Sequence, residues 1–241
     1  QIVYVPNILV ERDDKVFIIK PEQTYQTVLT NLGKGGFVND MVSFSFLARL
    51  SGYDKNIVPG RFVLRRGMTN LAAIKFLKTG NQQPVKLTFS YVRLTDELAE
   101  KLTKNIGVSP EEFKDALANF VANNNEGFTK ENVRCMFLPN TYEVYFNVTA
   151  SELIARMHSE FKKFWNEERL AKAKKIGLTP LEVSILASIV QAETVKQDEA
   201  PLIAGLYINR LKKDIALQAD PTLVYASGDF SLKRIYNGHK E

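Results

Sequence analysis

The chain has a single cysteine, Cys135, and only two histidines, His158 and His239. One thiol excludes an internal disulfide framework, and without CxxC or HExxH spacing there is no pattern for a zinc site. Ser-His-Asp chemistry is disfavoured too, because His158 reads as decoration on an amphipathic helix and His239 lies in a polar tail. No apolar run approaches the length of a membrane span, and no signal-peptide pattern is found. The chain opens on Gln1 rather than methionine, so a processed or partial chain is expected, and the missing span says nothing of anchoring.

A large excess of either charge is also absent. The 32 Lys and Arg against 27 Asp and Glu give a net charge of +5 and a pI near 9.1. That balance is compatible with nucleic acid, an anionic lipid surface or an acidic wall polymer, and does not choose between them. Lys162, Lys163, Arg169, Lys172, Lys174 and Lys175 cluster, but Glu160, Glu167 and Glu168 are interleaved, as on a solvated helix face. With no RNA-binding aromatic signature or zinc-finger spacing, no nucleic-acid partner is expected.

What is present is globular composition, 45% apolar and 24% charged over 241 residues, enough for one large or two ordinary domains. Strands are expected at Val16–Lys20, Arg61–Leu64 and Val85–Ser90, and helices at Thr24–Leu32, 39–51 and Thr69–Leu77. The glycines of Gly33-Lys-Gly-Gly36 lack a following Gly-Lys-Ser/Thr and read as a plain turn, not a phosphate loop. Beyond residue 90 the pattern turns helical: Thr95–Leu102, Ser109–Ala122, Ala150–Lys175, Pro180–Glu193 and roughly Ala200–Lys213. Between them, the alternating aromatics of Phe137–Phe146 read as an exposed strand or loop, or as core. Asn147-Val-Thr149 matches a glycosylation sequon, but Thr149-Ala-Ser-Glu152 is better read as a capping box. The fold class expected is α+β, a small α+β unit followed by a larger, mostly helical one with short strands.

The residue richest in chemical implication is Glu193. Thr179-Pro180-Leu181-Glu182 supplies an N-cap hydroxyl, a first-turn proline and an acid at the third position, so a helix should run from Pro180 to Glu193. Glu193 lies four residues after Ile189, seven after Leu186 and eight after Ile185, which puts all four on one stripe. Desolvation there and the negative end of the helix dipole would raise its pKa, as a general acid requires. The other reading is a carboxylate turned outward at a fraying end. Downstream, Asn209-Arg210 reads alone as a solvated helix face and Asp220-Pro221 as an N-cap with a first-turn proline.

Taken in order, Ala187-Ser-Ile-Val-Gln-Ala-Glu-Thr194, Tyr207-Ile-Asn-Arg-Leu211 and Leu217-Gln-Ala-Asp-Pro-Thr222 resemble the signature of the YceG-like family, the endolytic murein transglycosylases. Phe137-Leu-Pro-Asn-Thr-Tyr142 and the N-terminal unit fit as well, so the resemblance covers nearly the whole chain. It implies a bacterial lyase that cuts peptidoglycan glycan strands internally and ends their elongation, at the bond between N-acetylmuramic acid and N-acetylglucosamine. It implies a membrane-proximal segment and LysM-like subdomain over residues 1–90 and a catalytic domain over 91–241. It also implies an extracytoplasmic, periplasmic setting in the cell envelope, a membrane anchor in a helix preceding Gln1, peptidoglycan synthases as companions, and no cofactor or metal. Relatives continue with Tyr-Asn-Thr-Tyr and Gly-Leu-Pro-Pro-Gly runs where this chain stops at Lys240-Glu241, so part of the cleft wall is expected to lie beyond it.

Carried over residue by residue, the resemblance makes Glu193 the catalytic acid. Many relatives have a second glutamate where this chain has Gln191, which leaves Glu193 as the acid of its motif, and Asn140 replaces an aspartate common in the family. Thr194, Asn209, Arg210, Gln218, Asp220, Thr222 and Tyr225 are expected to orient the glycan or Glu193, with Asn140 and Tyr142 on the opposite wall. An ordinary glycosidase needs two carboxylates, and the residues offer one credible candidate. A lytic transglycosylase needs one, because the sugar's own C6 hydroxyl is the nucleophile and a 1,6-anhydro-N-acetylmuramoyl end results. Two rivals are a non-catalytic peptidoglycan-binding envelope protein and a pyridoxal-phosphate lyase; the second needs a Schiff-base lysine and a phosphate cradle, and neither can be singled out.

Overall fold

The computed structural model describes residues 5–10, 15–80 and 82–231; His239 lies outside them. The chain's contacts divide it into two compact units, one of residues 1–124 with 139–156, the other of 125–138 with 157–241.

The first unit begins with β1 (Val16–Ile19), α1 (Tyr25–Lys34), α2 (Met41–Leu50) and β2 (Gly60–Val63). β1 and β2 pair antiparallel with Val16 opposite Val63, so Phe17 and Phe62 face each other on the buried side. Thr24 caps α1 and Asp40 caps α2, each side chain accepting from backbone N–H groups of the first turn. Glycines 33 and 35 close α1 rather than cradle an anion, and Gly36, at φ +62°, makes the left-handed turn that follows. α3 (Asn70–Thr79) packs beside α2. The core of this region runs from Ile8 through Phe44 and Phe62 to Leu77. A chain of polar groups crosses it, Asn7 donating to Asn70 and Asn70 to the Ser43 hydroxyl.

β3 (Val85–Phe89) follows, then α4 (Thr95–Thr103) and α5 (Pro110–Asn123), and β3 pairs antiparallel with β4 (Asn140–Val144). That pairing ties residues 85–89 to 140–144 within one unit, so the division of contacts does not run along residue 90. The 137–146 stretch adopts the strand alternative, and its aromatics divide: Phe137, Tyr142 and Phe146 are buried, Tyr145 exposed. Thr149 and Glu152 exchange the bonds of a capping box ahead of α6 (Ala150–Phe164).

The expected helix Ala150–Lys175 is two helices. α6 stops at Phe164, and α7 (Glu167–Ile176) starts anew because the Asn166 side chain accepts from the Arg169 N–H as a fresh N-cap. The basic residues of the two helices are partly ion-paired: Lys162 and Lys163 of α6 meet Glu126 and Glu160, and Lys172 of α7 meets Glu168. His158 contacts Glu126 at 2.9 Å with its ring edge-on to Phe128, so it is more than decoration. After Gly177, left-handed at φ +79°, come α8 (Pro180–Glu193), α9 (Ala200–Lys212) and α10 (Asp220–Ser227). The N-cap position of α10 is Ala219, not Asp220, whose side chain makes no cap bond. Among the described residues no single helix is long and apolar enough to cross a membrane.

Candidate active site

α8 has the bounds its sequence dictates. Thr179 accepts from the Glu182 N–H, Glu182 accepts from the Thr179 N–H at 2.7 Å, and Pro180 fills the first turn, where its missing N–H costs nothing. The helix ends at Thr194, whose backbone is extended. The buried stripe differs from the expected one. Leu186 and Val190 point inward, Ile189 is half-buried, and Ile185 and Glu193 are exposed. Apolar residues surround this helix on nearly every side, so spacing alone does not choose which row faces the core, and the premise that burial desolvates Glu193 fails.

The Glu193 carboxylate instead has a specific neighbour. Tyr207, on α9, donates its hydroxyl to Glu193 Oε1 at 2.9 Å. The tyrosine is only 6% exposed and belongs to the core of Leu186, Val190 and Ala219. Burial first, and the adjacent Glu193 second, push the Tyr207 hydroxyl up to about 12, so it remains a donor at any physiological pH. Arg210 and Asp220 are close enough to act on that hydroxyl electrostatically, with opposite signs.

Tyr207 touches the candidate carboxylate, and sequence reasoning gave it no role although it stands in the same motif as Asn209 and Arg210. A signal existed. Ile203 and Tyr207 are four apart on one helical face, and a buried tyrosine needs a partner for its hydroxyl.

Arg210 holds the connection between α9 and α10. Its Nε donates to the Ala216 carbonyl at 2.9 Å and its Nη2 to Gln218 Oε1 at 2.5 Å. Gln218 sits at φ +53°, a region that costs a side-chain-bearing residue about 1 kcal/mol or more unless its surroundings fix it. The Thr194 hydroxyl is engaged in its own loop, donating to Glu199 and accepting from the Lys196 N–H. Thr222 donates to the Ala219 carbonyl in the first turn of α10. Tyr225 is exposed, with Arg134 against its ring and hydroxyl. Asn209 is exposed on α9. The structure thus gathers Glu193, Tyr207, Arg210, Gln218 and Asp220, and leaves Thr194 and Thr222 bonded locally. Asn140 and Tyr142 belong to the first unit, where Asn140 is exposed and Tyr142 is buried and stacked on Phe89.

A groove of about 860 Å³ in the second unit is not lined by Glu193. It runs along α8 and α9 past Leu186, Val190, Ala204 and Ile208 and is apolar. Among the described residues no group of three or more His, Cys, Asp or Glu could hold a metal ion.

The family model described as the YceG-like family matches residues 17–241. An endolytic murein transglycosylase of Streptococcus pneumoniae strain D39 is 26% identical over 231 residues, covering 84% of this chain and 41% of that protein. An endolytic murein transglycosylase of Bacillus subtilis strain 168 is 24% identical over 248 residues, 94% of this chain and 68% of that protein. The chain therefore spans about two fifths of the pneumococcal relative. A solved yceG-like protein of Listeria monocytogenes matches with a TM-score of 0.55 at 21% identity, over 95% of this chain and 80% of that one, a likeness of fold.

Proposed function

The chain belongs to the YceG-like family, and from that membership and the Glu193–Tyr207 arrangement we propose that it carries the site of an endolytic peptidoglycan lytic transglycosylase. The observation that carries the reading is one carboxylate, at the end of the family's first motif, held by a buried hydroxyl from the second.

Glu193 works twice in this scheme. Protonated, it gives its proton to the oxygen bridging N-acetylmuramic acid and N-acetylglucosamine as the bond from C1 to that oxygen breaks. As a carboxylate it then takes the proton of the muramoyl C6 hydroxyl, whose oxygen bonds to C1. The products are a free 4-hydroxyl on one strand and a 1,6-anhydro end on the other; no water is consumed and the glutamate ends protonated, as it began. Tyr207 occupies Oε1, which leaves Oε2 to face the glycan. The Tyr207 bond fixes the direction of the carboxylate for both proton transfers. Because Glu193 is exposed, the bound glycan itself must exclude water from it. Arg210 keeps the loop bearing Gln218 and Asp220 in place, and Asn209 and Tyr225 offer exposed polar and aromatic groups to the sugar. Asn140, exposed in β4 of the first unit, offers a polar group of its own to a glycan, and Tyr142 is buried in the same strand.

In the same reading, residues 1–90 hold a LysM-like subdomain and 91–241 the catalytic domain, acting at the cell envelope on the outer side of the cytoplasmic membrane. Nascent glycan strands are the substrate, synthases the companions, and a preceding helix the anchor.

The test is digestion of purified peptidoglycan by this chain and by Glu193→Gln, with the new ends identified by mass spectrometry. The expected product ends are lighter than hydrolytic ends by one water, and the variant should form them on the order of 10²- to 10⁴-fold more slowly. Ordinary reducing ends, or an equally active variant, would sink the proposal. Binding without product in either form is the outcome expected of a non-catalytic peptidoglycan-binding protein.

A further inference from the structure

The first unit exposes an apolar stripe that the reaction does not use. On α2, Val42 is 79% exposed, Phe46 62% and Leu50 75%. They are four residues apart, so they lie along one side of the helix while Phe44, Leu47 and Ala48 fill the core side. Isolated exposed apolar residues need no explanation, whereas three in a row with no covering side chain do.

The neighbouring helix extends the stripe into a face. Asn70 donates to the Ser43 hydroxyl at 3.0 Å and Lys78 to the Ser51 carbonyl at 2.6 Å, both with a sequence offset of 27. Equal offsets at both ends mean that α2 and α3 run side by side in the same direction. On α3, Leu71, itself 45% exposed, lies four residues before Lys75 and seven before Lys78, so the three share the side of the helix from which Lys78 reaches α2. Leu71 thus continues the apolar surface, and two lysines stand at its rim with the exposed Arg49 on α2.

Charge decides what such a face fits. Residues 15–80 contain ten Lys and Arg against three Asp and Glu, although the whole chain has 32 against 27. The net positive charge is therefore concentrated in this region. Of its three acids, Asp40 is exposed and its carboxylate is engaged in capping the Val42 and Ser43 N–H groups. An apolar helical stripe rimmed by basic side chains is the pattern of a surface that lies in the headgroup layer of an anionic bilayer, with the aliphatic and phenyl groups among the acyl chains and the ammonium groups at the phosphates.

We propose that the α2–α3 face, formed by Val42, Phe46, Leu50 and Leu71 with Arg49, Lys75 and Lys78, docks peripherally on an anionic lipid surface. The contact needs no spanning helix, and it does not depend on Glu193 chemistry.

The test is flotation of the purified chain with phosphatidylglycerol-containing vesicles and with pure phosphatidylcholine vesicles, at low and high salt. The wild-type chain is expected to float with the anionic vesicles at low salt, to be released by high salt, and to ignore the neutral ones. Phe46→Asp with Leu50→Asp should weaken binding by at least about tenfold, since it puts charge where acyl contact is required. These positions are exposed, and circular dichroism of the variant checks its fold. Lys75→Glu with Lys78→Glu, a second variant independent of the stripe, should weaken binding by about tenfold or more and flatten the salt dependence. The proposal is overturned if the wild type stays in the aqueous phase, or if both variants float like it. It is also overturned if the Phe46→Asp, Leu50→Asp change abolishes pelleting with insoluble peptidoglycan or a concentration-dependent dimer while vesicle binding is absent, which would make the face a glycan or self-association surface.

Discussion

Two regions of this molecule bury their apolar side chains very differently. From Ile8 to Leu77, strands and helices enclose Phe44, Tyr53, Phe62 and Leu64 completely. Around Glu193 the buried cluster is Leu186, Val190, Tyr207 and Ala219, and an apolar groove of about 860 Å³ stays open. The first region is ordered by packing. In the second, polar contacts set much of the geometry: Tyr207 on Glu193, Arg210 on the Ala216 carbonyl and Gln218, and Thr194 on Glu199. A reactive carboxylate gains from that arrangement, since hydrogen bonds fix direction, which a loosely packed apolar face does not.

The contrast is broken or kept most sharply by matched core deletions. Phe62→Ala removes a fully buried ring that meets Phe76 edge-on at 5.9 Å, and should cost about 3–5 kcal/mol in a denaturant titration. Leu186→Ala should cost about 2 kcal/mol, the low end for such a change, because the groove beside it is already open. Amide exchange should report the first loss across β1, β2 and α1, and the second along α8 and α9. Equal costs at the two sites would end the distinction between a packed region and a polar one.

Legibility in the sequence follows the same line. A helix start was readable where a hydroxyl, a proline and an acid coincide, so Thr179 fixes the start of α8 to the residue, while the helix expected over Ser109–Ala122 is α5, shifted by one residue at each end with Ser109 as its cap. The α+β class and the first strands followed from apolar alternation between turns. The break at Trp165-Asn166 was not readable, since one asparagine within a long amphipathic pattern is as often a solvated side chain as a cap. The outward turn of Glu193 was hidden because α8 is apolar on most sides, and Tyr207 because its value comes from a contact between two helices fourteen residues apart.

Tyr207→Phe probes the polar side of the contrast at a smaller scale. Losing a hydroxyl bonded to an exposed carboxylate should cost about 1.5 kcal/mol. The wild-type hydroxyl is raised from 10 to about 12 in the folded chain. Between those values the folded form keeps a proton that the unfolded form loses, so stability falls as pH rises through that window. The phenylalanine variant should lack this share of the alkaline loss in thermal melts at stepped pH. In the peptidoglycan assay it should also lower the rate, because the Glu193 carboxylate loses the donor that fixes its direction. A loss of stability with an unchanged rate would mean that Tyr207 serves packing alone.

The smallest effects come from a device that both units share. α5 and α8 each open with a hydroxyl residue, a proline and a glutamate that closes a capping box, Ser109 to Glu112 and Thr179 to Glu182. Ser109→Ala and Thr179→Ala should therefore cost nearly the same, about 1 kcal/mol each, in equilibrium unfolding. Their reach should differ. α5 is pinned one turn in by Phe113, fully buried, and again by Leu117, so fraying stops there. α8 has its first buried side chain at Leu186, seven residues after the cap, and opening of its first turns meets little resistance before that point. Amide exchange should then rise over the first turn alone in Ser109→Ala, and from Leu181 to Leu186 in Thr179→Ala. If opening in the second variant stops at the first turn as well, the packing beneath α8 is firmer than its buried cluster implies, and Glu193 rests on more than its bond to Tyr207.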